Sequence, residues 1–472
     1  MSQRAARQTP PVGQPPRRAR LPRSPWRRSA WSRSAIRRWA FSRWAISRWA
    51  QVRCRAAWSL AVASALVIAG CSTNTVDQQP CSADDQCTSA FGPGSTCNVA
   101  AGVCEPGQGI EPRLGFIYSS SENDQGWSQT HHDAALAVAE AIDAPLFFRP
   151  AVQSPDVETV IDELVTEDDA NIFFTLSSGF ITGTLNAANR YPDRTFFSCC
   201  GDASGDNLNS FFGRMYQPIY VLGYVAARMS CTKRLGVVAA LPLPQFIRHI
   251  NAFTLGAREA DPRVEVDVRW VGAFFNPEVE GALAEDLIDE GADVILAQSN
   301  STAPLQARAG ERVTCASETG DREVDVYRVG YHSPTACEAN PEQCIAAAHW
   351  NWAGLYEGKV RAVLDGTLDY SDTSWGSMTN DSTSVVNYSE IASFVPVAIT
   401  AEATPLREAT IADPQVPFRG PLADNTGTTQ IASGQELSEA DFERMCWFVE
   451  GVVSTESGDV EPAVVPSSCG GI

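Results

Sequence analysis

The chain has 472 residues, of which 44% are hydrophobic and 19% are charged, and this composition excludes a wholly disordered protein. Its 36 basic side chains are unevenly placed, because residues 1–55 contain 15 arginines and no acidic residue. The rest of the chain therefore has 21 basic and 56 acidic side chains, a formal charge of −35. A field of that sign repels phosphate backbones, so we expect no nucleic-acid partner.

An uncharged, mostly apolar run occupies residues 56–70, between Arg55 and Cys71. It is shorter than the helix of about 20 residues that crosses a bilayer, whereas a short apolar run behind basic residues is typical of a secretory signal. The junction Ile68-Ala69-Gly70-Cys71 resembles the lipobox of bacterial lipoproteins, in which the cysteine becomes the lipidated first residue. We therefore predict a lipid anchor at Cys71. The alternative is a buried strand that ends in a chance cysteine.

The segment before this signal repeats Arg-Trp-Ala at 38–40, 43–45 and 48–50. A period of five fits neither a helix nor a strand, so no stable element is predicted. One interpretation is a peptide that lies on a membrane surface. Our preferred hypothesis is that the true translation start lies near Val52, where a short signal peptide would begin. Residues 1–70 then comprise an Arg/Trp-rich extension and a lipoprotein signal peptide.

Residues 71–110 are predicted to form a lipidated, cysteine-rich tether. This stretch is rich in Gly, Ser, Asp and Asn and is too short to bury a core of its own. In an exported chain its cysteines should form two disulfides, in one of three connectivities; they are Cys81, Cys87, Cys97 and Cys104. The alternative is that these cysteines bind zinc, but their spacings lack the close Cys-x-x-Cys pairs of zinc sites. Asp84 and Asp85 could also bind calcium. Two adjacent acidic residues in a loop are more often simply solvated, and we favour that interpretation.

Eight further cysteines lie in the main body of the chain. Cys337 and Cys344 are close enough in sequence for a local bridge, and so are Cys446 and Cys469. The adjacent pair Cys199-Cys200 follows an apolar run and could be a redox centre. Two separate structural bridges are the favoured use of that pair.

From residue 113, short apolar runs alternate with amphipathic helical stretches. The first helix should begin near Ser128 as N-cap, because apolar residues then recur at i, i+3, i+4 and i+7 from Ala135 to Ile142. Runs of four to eight apolar residues are typical of parallel strands covered on both faces. We predict α/β lobes at residues 111–230 and 231–370, and a carboxyl-terminal segment, 371–472, that crosses between the lobes and forms the tail.

Ligands of parallel sheets bind outside the carboxyl ends of the strands. Polar and aromatic residues are concentrated at those predicted positions, in residues 121–127, 242–246, 298–301 and 331–333. Four of the six tryptophans beyond residue 58 also fall in or near such loops, namely Trp127, Trp350, Trp352 and Trp375. This pattern predicts a flat cleft suited to stacking. The alternative for Trp350 and Trp352 is packing between helices; being two apart, they should face different ways, with one in the core.

Motifs for catalysis are missing from the sequence. It contains no Gly-x-Ser-x-Gly elbow, no His-Glu-x-x-His helix, no phosphate-binding loop with lysine and no dinucleotide fingerprint. The five histidines are scattered or adjacent rather than spaced as metal ligands. We therefore expect a protein that is not an enzyme and that has no cofactor and no metal site.

Several segments resemble the basic membrane protein (BMP) family of substrate-binding lipoproteins, which includes the purine nucleoside receptors of bacterial ABC importers. The similarity spans about residues 113–456. It is carried, in chain order, by Asp124-Gln125-Gly126-Trp127, Phe212-Gly213-Arg214, Pro242–Arg248, Trp350-Asn351-Trp352, Trp375-Gly376, Pro417–Leu422 and Trp447–Val452.

The resemblance implies a periplasmic-binding-protein-like clamshell of two α/β lobes with parallel sheets. Such a protein closes on a purine nucleoside or nucleobase and presents it to an ABC permease, anchored in the cell envelope and facing the periplasm or the exterior. By position, Trp127 would stack on the base, Asn300 would be a polar contact, and Phe246 and Trp375 would form the second lobe's wall. Relatives often have Asp at the position of Asn300, which leaves the ligand open.

Strand-end positions add further expected ligand contacts, namely Asn123, Asp124, Tyr331 and Trp350. The alternative function is an extracytoplasmic sensor or surface lipoprotein that uses the same clamshell without transport. For Trp127 the alternative role is structural packing against the hinge.

Overall fold

The computed structural model describes residues 80–82, 86–87, 96–105, 110–201, 203–315, 321–373, 375–455, 461–467 and 469. The predicted signal segment and the predicted lipidation site Cys71 lie outside these residues. In the described part of the chain, no helix has the length and apolar character needed to cross a membrane.

The cysteine-rich segment contains a small antiparallel hairpin of β1 (Thr96–Asn98) and β2 (Val103–Glu105). Two disulfides, Cys81–Cys97 and Cys87–Cys104, tie it to the residues before it. The predicted two-bridge arrangement is therefore present, in one of the three possible connectivities.

The first lobe is built on a five-stranded parallel sheet with the strand order β4-β3-β5-β6-β7. Every residue of β3, β5 and β6 is buried, as expected for strands covered on both faces. The elements in chain order are β3 (Leu114–Tyr118), α1 (Trp127–Ile142), β4 (Leu146–Arg149), α2 (Val157–Asp168), β5 (Ile172–Leu176), α3 (Ile181–Arg190), β6 (Thr195–Cys199) and β7 (Leu208–Phe211), with 3-10 turns at Ser154–Asp156 and Ser178–Phe180.

The second lobe surrounds an eight-stranded sheet, ordered β15-β14-β13-β10-β8-β9-β18-β19. Its six central strands are parallel, and the edge strands β15 and β19 are antiparallel to their neighbours. The first elements are α4 (Tyr216–Met229), β8 (Arg234–Ala239), α5 (Pro244–Ala260), β9 (Glu265–Trp270), α6 (Pro277–Asp289), β10 (Val294–Gln298), α7 (Ala303–Gln306), β11 (Arg312–Cys315), β12 (Arg322–Asp325), β13 (Tyr327–His332) and β14 (Cys344–Trp350). The later elements are α8 (Trp352–Leu364), β15 (Val386–Tyr388), α9 (Val397–Ala412), β16 (Leu422–Ala423), β17 (Thr429–Ile431), α10 (Glu439–Glu443), β18 (Val452–Ser454) and β19 (Glu461–Pro462), with 3-10 turns at Ala336–Ala339 and Val416–Phe418.

Helix α4 packs closely on α5 and therefore belongs with the second sheet. A Cβ added to Gly223 would lie 2.9 Å from the carbonyl carbon of Phe253, and one added to Gly256 would lie 2.8 Å from that of Tyr220. Only residues without a side chain permit such an approach of two helix backbones. The structure thus differs from the expected boundary at residue 230, because the chain leaves the first lobe before α4.

Helix α8 follows the second-lobe strand β14 but packs against α1 of the first lobe. Its Tyr356 ring lies 5.6 Å from that of Phe116 and 4.5 Å from that of Phe174, in the core of the first lobe. Farther along, the Tyr370 and Thr195 hydroxyls are 3.0 Å apart. Residues 352–370 therefore complete the first lobe. The sequence analysis had assigned them to the second lobe, which it expected to end at residue 370.

The main-body disulfides include the two predicted local bridges, Cys337–Cys344 and Cys446–Cys469. The favoured use of Cys199 and Cys200 was wrong, because these adjacent residues are bonded to each other. Cys231 pairs instead with Cys315, so the other described cysteines leave no partner for two separate bridges. Cys200 adopts a left-handed backbone conformation with φ 76°.

Candidate functional site

A cavity lies between the lobes, with about 450 Å³ of empty space around its lining atoms, part of it open to solvent. Its lining residues all lie at the carboxyl ends of the parallel strands or in the first turn of the helix that follows, as expected for this class of fold. The first sheet contributes Ser119, Trp127, Ser177, Ser178, Cys200 and Phe212, and the second contributes Gln245, Phe246, Phe274, Asn300, Tyr331, His332 and Trp350.

The cavity brings together five of the eight predicted ligand contacts: Trp127, Phe246, Asn300, Tyr331 and Trp350. The structure places the other three, Asn123, Asp124 and Trp375, outside the lining.

Asp124 organises the first turn of α1. Its buried carboxylate accepts hydrogen bonds from the backbone amides of Gly126, Ser128 and Gln129 at 2.9–3.0 Å. The amides at a helix N-terminus have no partner within the helix, so a carboxylate satisfies them well. Asp124 therefore does the capping expected of Ser128, whose hydroxyl instead lies 2.7 Å from that of Ser120. Asn123, the preceding residue, is exposed.

Trp127 is the first residue of α1 and is half-buried. Its indole Nε1 donates to the Leu176 carbonyl oxygen at 2.9 Å, which fixes the ring across the end of β5. The ring centroid lies 4.2 Å from that of His131, in an edge-on contact. His131 is fully buried, and burial lowers its pKa well below the usual range, so its imidazole is neutral. Trp127 thus lines the cavity and also packs on the first-lobe core.

Asn300, His332 and Trp350 form a hydrogen-bonded chain along the second-lobe wall. The indole Nε1 of Trp350 lies 3.0 Å from Nδ1 of His332, and Nε2 of His332 lies 2.9 Å from Oδ1 of Asn300. His332 ends β13 with φ 69°, a left-handed conformation that is uncommon for residues other than glycine. Burial lowers the pKa of His332 to about 3, so the ring is uncharged at neutral pH.

Trp375 lies behind the cavity wall, contrary to the role that the family resemblance implied. Its ring packs edge-on against that of Phe212, with 5.3 Å between centroids. On its other side lies the Arg248 guanidinium, 4.6 Å from the ring centroid. Arg248 is buried and donates to the Phe442 carbonyl oxygen at 2.6 Å. Trp375 therefore supports a lining residue rather than facing the cavity.

Trp350 and Trp352 stack on each other, with 4.7 Å between ring centroids and 14° between planes. The expectation that one lies in the core is confirmed, because Trp352 is 1% exposed and does not line the cavity. The expectation that they face different ways was wrong. The chain passes from β14 into α8 at Asn351, and that change of element brings the two rings to the same side.

Eight of the described lining residues were not among the predicted ligand contacts; they are Ser119, Ser177, Ser178, Cys200, Phe212, Gln245, Phe274 and His332. Two of them, Gln245 and His332, lie in strand-end loops that the sequence analysis did single out. The same strand-end rule, applied to every predicted strand, marks most of the other six positions.

The described lining residues carry no formal charge. They include no Asp, Glu, Lys or Arg, and the single histidine among them, His332, is neutral. Six aromatic rings and several hydroxyl and amide groups remain available. Burial of a charged ligand without a counter-charge is costly, so this arrangement favours an uncharged ligand with an apolar face and a polar edge.

Residues 112–393 match the model of a protein family described as ABC transporter substrate-binding protein PnrA-like. A Haloferax volcanii protein named as an ABC transporter glucose-binding protein is 29% identical over 327 residues, which cover 68% of this chain and 79% of that protein. A purine-binding protein of Brucella abortus is 28% identical over 344 residues, covering 72% and 92% of the two chains.

A solved solute-binding protein of an ABC transporter system from Conexibacter woesei has the same fold. It superposes with a TM-score of 0.50 at 19% identity and covers 64% of this chain and 97% of that one. This likeness confirms the predicted α/β architecture of two lobes.

Proposed function

The chain belongs to the family of PnrA-like substrate-binding proteins of ABC transporters, and on that premise we propose that it binds a purine nucleoside or nucleobase. The ligand would be held between the two lobes and presented to the permease of an importer. As a member of this family, the protein binds a solute.

The observation that carries the proposal is a cleft with aromatic residues from both lobes and no charged side chain among its described lining residues. Trp127 comes from the first lobe, and Phe246 comes from the first turn of α5 in the second. Stacking contributes about 1–3 kcal/mol per base, and micromolar affinity needs about 8 kcal/mol. Asn300, Gln245 and Ser177 line the same cavity, and in this proposal their polar groups supply hydrogen bonds for the rest.

The neutral lining also distinguishes between forms of the ligand. A nucleoside or base is uncharged, whereas a nucleotide would bring a phosphate into a cleft whose described lining has no Lys or Arg. An unpaired buried charge is strongly unfavourable. We therefore expect adenosine, inosine or guanosine, or their bases, to bind and the corresponding monophosphates to be rejected.

Titration calorimetry on the purified protein tests this proposal. The ligand panel is adenosine, inosine, guanosine, their bases, AMP and D-glucose, the last because one relative is named for it. At least one purine should bind with micromolar or better affinity, and AMP should not. Binding of glucose with no purine bound would overturn the proposal.

A pair of variants ties the binding to the cleft. Phe246→Ala should weaken purine binding by about tenfold or more, because Phe246 lines the cavity. Phe275→Ala is the matched control, since Phe275 is 45% exposed and outside the lining. Equal effects of the two substitutions would contradict the assignment of the site.

The lipid anchor at Cys71 and the signal before it are part of the same proposal. Six disulfides among the described residues support an oxidising, extracytoplasmic location. In the native host, Cys71→Ser should release the protein from the membrane fraction, and mass spectrometry should detect acyl chains on Cys71 of the wild-type protein. A membrane-bound Cys71→Ser variant would contradict the anchor.

A further inference from the structure

The proton positions in the Asn300–His332–Trp350 chain follow from chemistry alone. An indole Nε1–H can only donate a hydrogen bond, so Nδ1 of His332 must accept from Trp350. Nδ1 therefore carries a lone pair. In a neutral imidazole the single proton then resides on Nε2, which donates to Asn300 across 2.9 Å.

Two other arrangements of these three side chains are chemically excluded. A cationic His332 would point an N–H of its own at the indole N–H. A flipped Asn300, with its amide nitrogen toward Nε2, would require the imidazole to accept at both nitrogens and carry no proton. The oxygen of Asn300 thus faces His332, and its amide nitrogen is directed away from that ring.

Asn300 lines the cavity, and its Nδ2 has no hydrogen-bond partner among the described residues. We infer that Trp350, acting through His332, holds the Asn300 amide as a hydrogen-bond donor to the ligand, so that the site selects a ring edge bearing an acceptor. This inference rests on the proposed function and adds a chemical requirement to it. Suitable acceptors are an unprotonated ring nitrogen or an exocyclic carbonyl oxygen.

In this arrangement Asn300 is the ligand contact, and His332 and Trp350 are positioning residues. An acidic side chain at position 300 would still accept from His332 but would offer an acceptor, not a donor, to the ligand. The identity of residue 300 and the tautomer of His332 together set which ring edges are accepted. A site built to hydrogen-bond a particular group rejects analogues that lack it, because its own polar atom is then left unpaired.

The binding test compares adenosine with its 1-deaza, 3-deaza and 7-deaza analogues, each of which replaces one ring nitrogen by C–H and keeps the shape. The wild-type protein should bind one analogue at least tenfold more weakly than adenosine. If the protein binds inosine and not adenosine, the series is inosine with its 3-deaza and 7-deaza analogues, which each lack one ring nitrogen, and nebularine, which lacks the carbonyl oxygen. Equal affinities within the series used would overturn the inference and leave the proposed function intact.

Three variants separate the effect of the Asn300–His332–Trp350 chain on ligand selection from a simple loss of packing. Asn300→Asp should remove or invert the discrimination, and Trp350→Phe should reduce it to about threefold or less because His332 is then free to change tautomer. Trp352→Phe is the matched control, since its Nε1 has no hydrogen-bond partner in the described part of the chain and the residue lies outside the lining. Affinity ratios are compared, so that a uniform loss of stacking cancels.

A second readout needs no ligand. Long-range ¹H–¹⁵N correlation spectra of the ¹⁵N-histidine-labelled protein, assigned with His332→Gln, should show His332 as the Nε2–H tautomer, and Trp350→Phe should shift that signal. A cationic or Nδ1–H ring in the wild-type protein would overturn the inference. If no purine binds the wild-type protein, the proposed ligand is wrong and the ring-edge selection fails with it. The spectrum still shows whether Trp350 sets the tautomer of His332.

Discussion

Gly126 of the first lobe lies directly against the main chain of Asn300 in the second lobe. A Cβ added to Gly126 would be 2.9 Å from the Asn300 Cα and closer still to its carbonyl oxygen. Beside this contact, the Thr302 hydroxyl donates to the side-chain oxygen of Gln125 at 3.0 Å. The two lobes therefore touch at the cavity mouth through a position that has no room for a side chain.

Gly126→Ala should hinder closure of the lobes on a ligand. Overpacking of this kind costs about 1–3 kcal/mol, so we expect purine affinity to fall by about fivefold to a hundredfold. Titration calorimetry measures the loss. Gly358→Ala is the control, because no atom of the described residues, apart from its chain neighbours and its own helix backbone, lies within 4 Å of a Cβ at that position. Unchanged affinity in Gly126→Ala would show that the lobes bind without this contact.

Trp127→Ala should weaken purine binding by about tenfold or more through loss of stacking, on the order of 1–3 kcal/mol. Because the ring also packs on His131 and bonds the Leu176 carbonyl, the melting temperature of the ligand-free protein should fall as well. Trp127→Phe should keep most of the stability and lose part of the affinity. A stability loss with full affinity in both variants would assign Trp127 to the core alone.

The Cys199–Cys200 disulfide shapes part of the cavity wall, so its removal should change ligand affinity. Cys200 lines the cavity at the end of β6, and its left-handed backbone is held by the bond to its neighbour. The double variant Cys199→Ala/Cys200→Ala should lose affinity severalfold. The control Cys337→Ala/Cys344→Ala removes a bridge at the first residue of β14, away from the carboxyl ends of the strands that form the site. Equal affinities of the two double variants would exclude a role for Cys200 in the wall.

Stability should fall as the pH is lowered below about 6.5, the usual pKa of histidine. The pKa of His332 is lowered by burial to about 3, so between these values the unfolded chain binds a proton and the folded protein does not. Linkage then costs about 1.4 kcal/mol per pH unit, or about 2 kcal/mol at pH 5. Urea unfolding at pH 7.5 and pH 5.0 measures the difference, which should shrink by that amount in His332→Gln. Identical pH dependence in the two proteins would contradict a neutral buried ring.

Sequence patterns predicted the α/β fold and the location of the cleft because strand ends are marked by polar and aromatic residues beside apolar runs. They did not predict where α4 and α8 pack. An amphipathic helix shows that one face is buried but not which sheet covers it. The same limit applies to side chains: nothing in the residue types distinguishes Asp124, which caps a helix, or Trp375, which backs Phe212, from residues that face a ligand.

The placement of α8 has a consequence for synthesis of the protein. The first lobe's strands are complete by Phe211, yet Tyr356, which packs among their aromatic rings, is encoded some 145 residues later. Most of the second lobe is made in between. A ribosome or translocon that delivers the chain from its amino terminus therefore cannot finish one lobe before the other, and the interval leaves aromatic surface of the first sheet uncovered. We therefore expect the two lobes to complete their folding together, after most of the chain has been made.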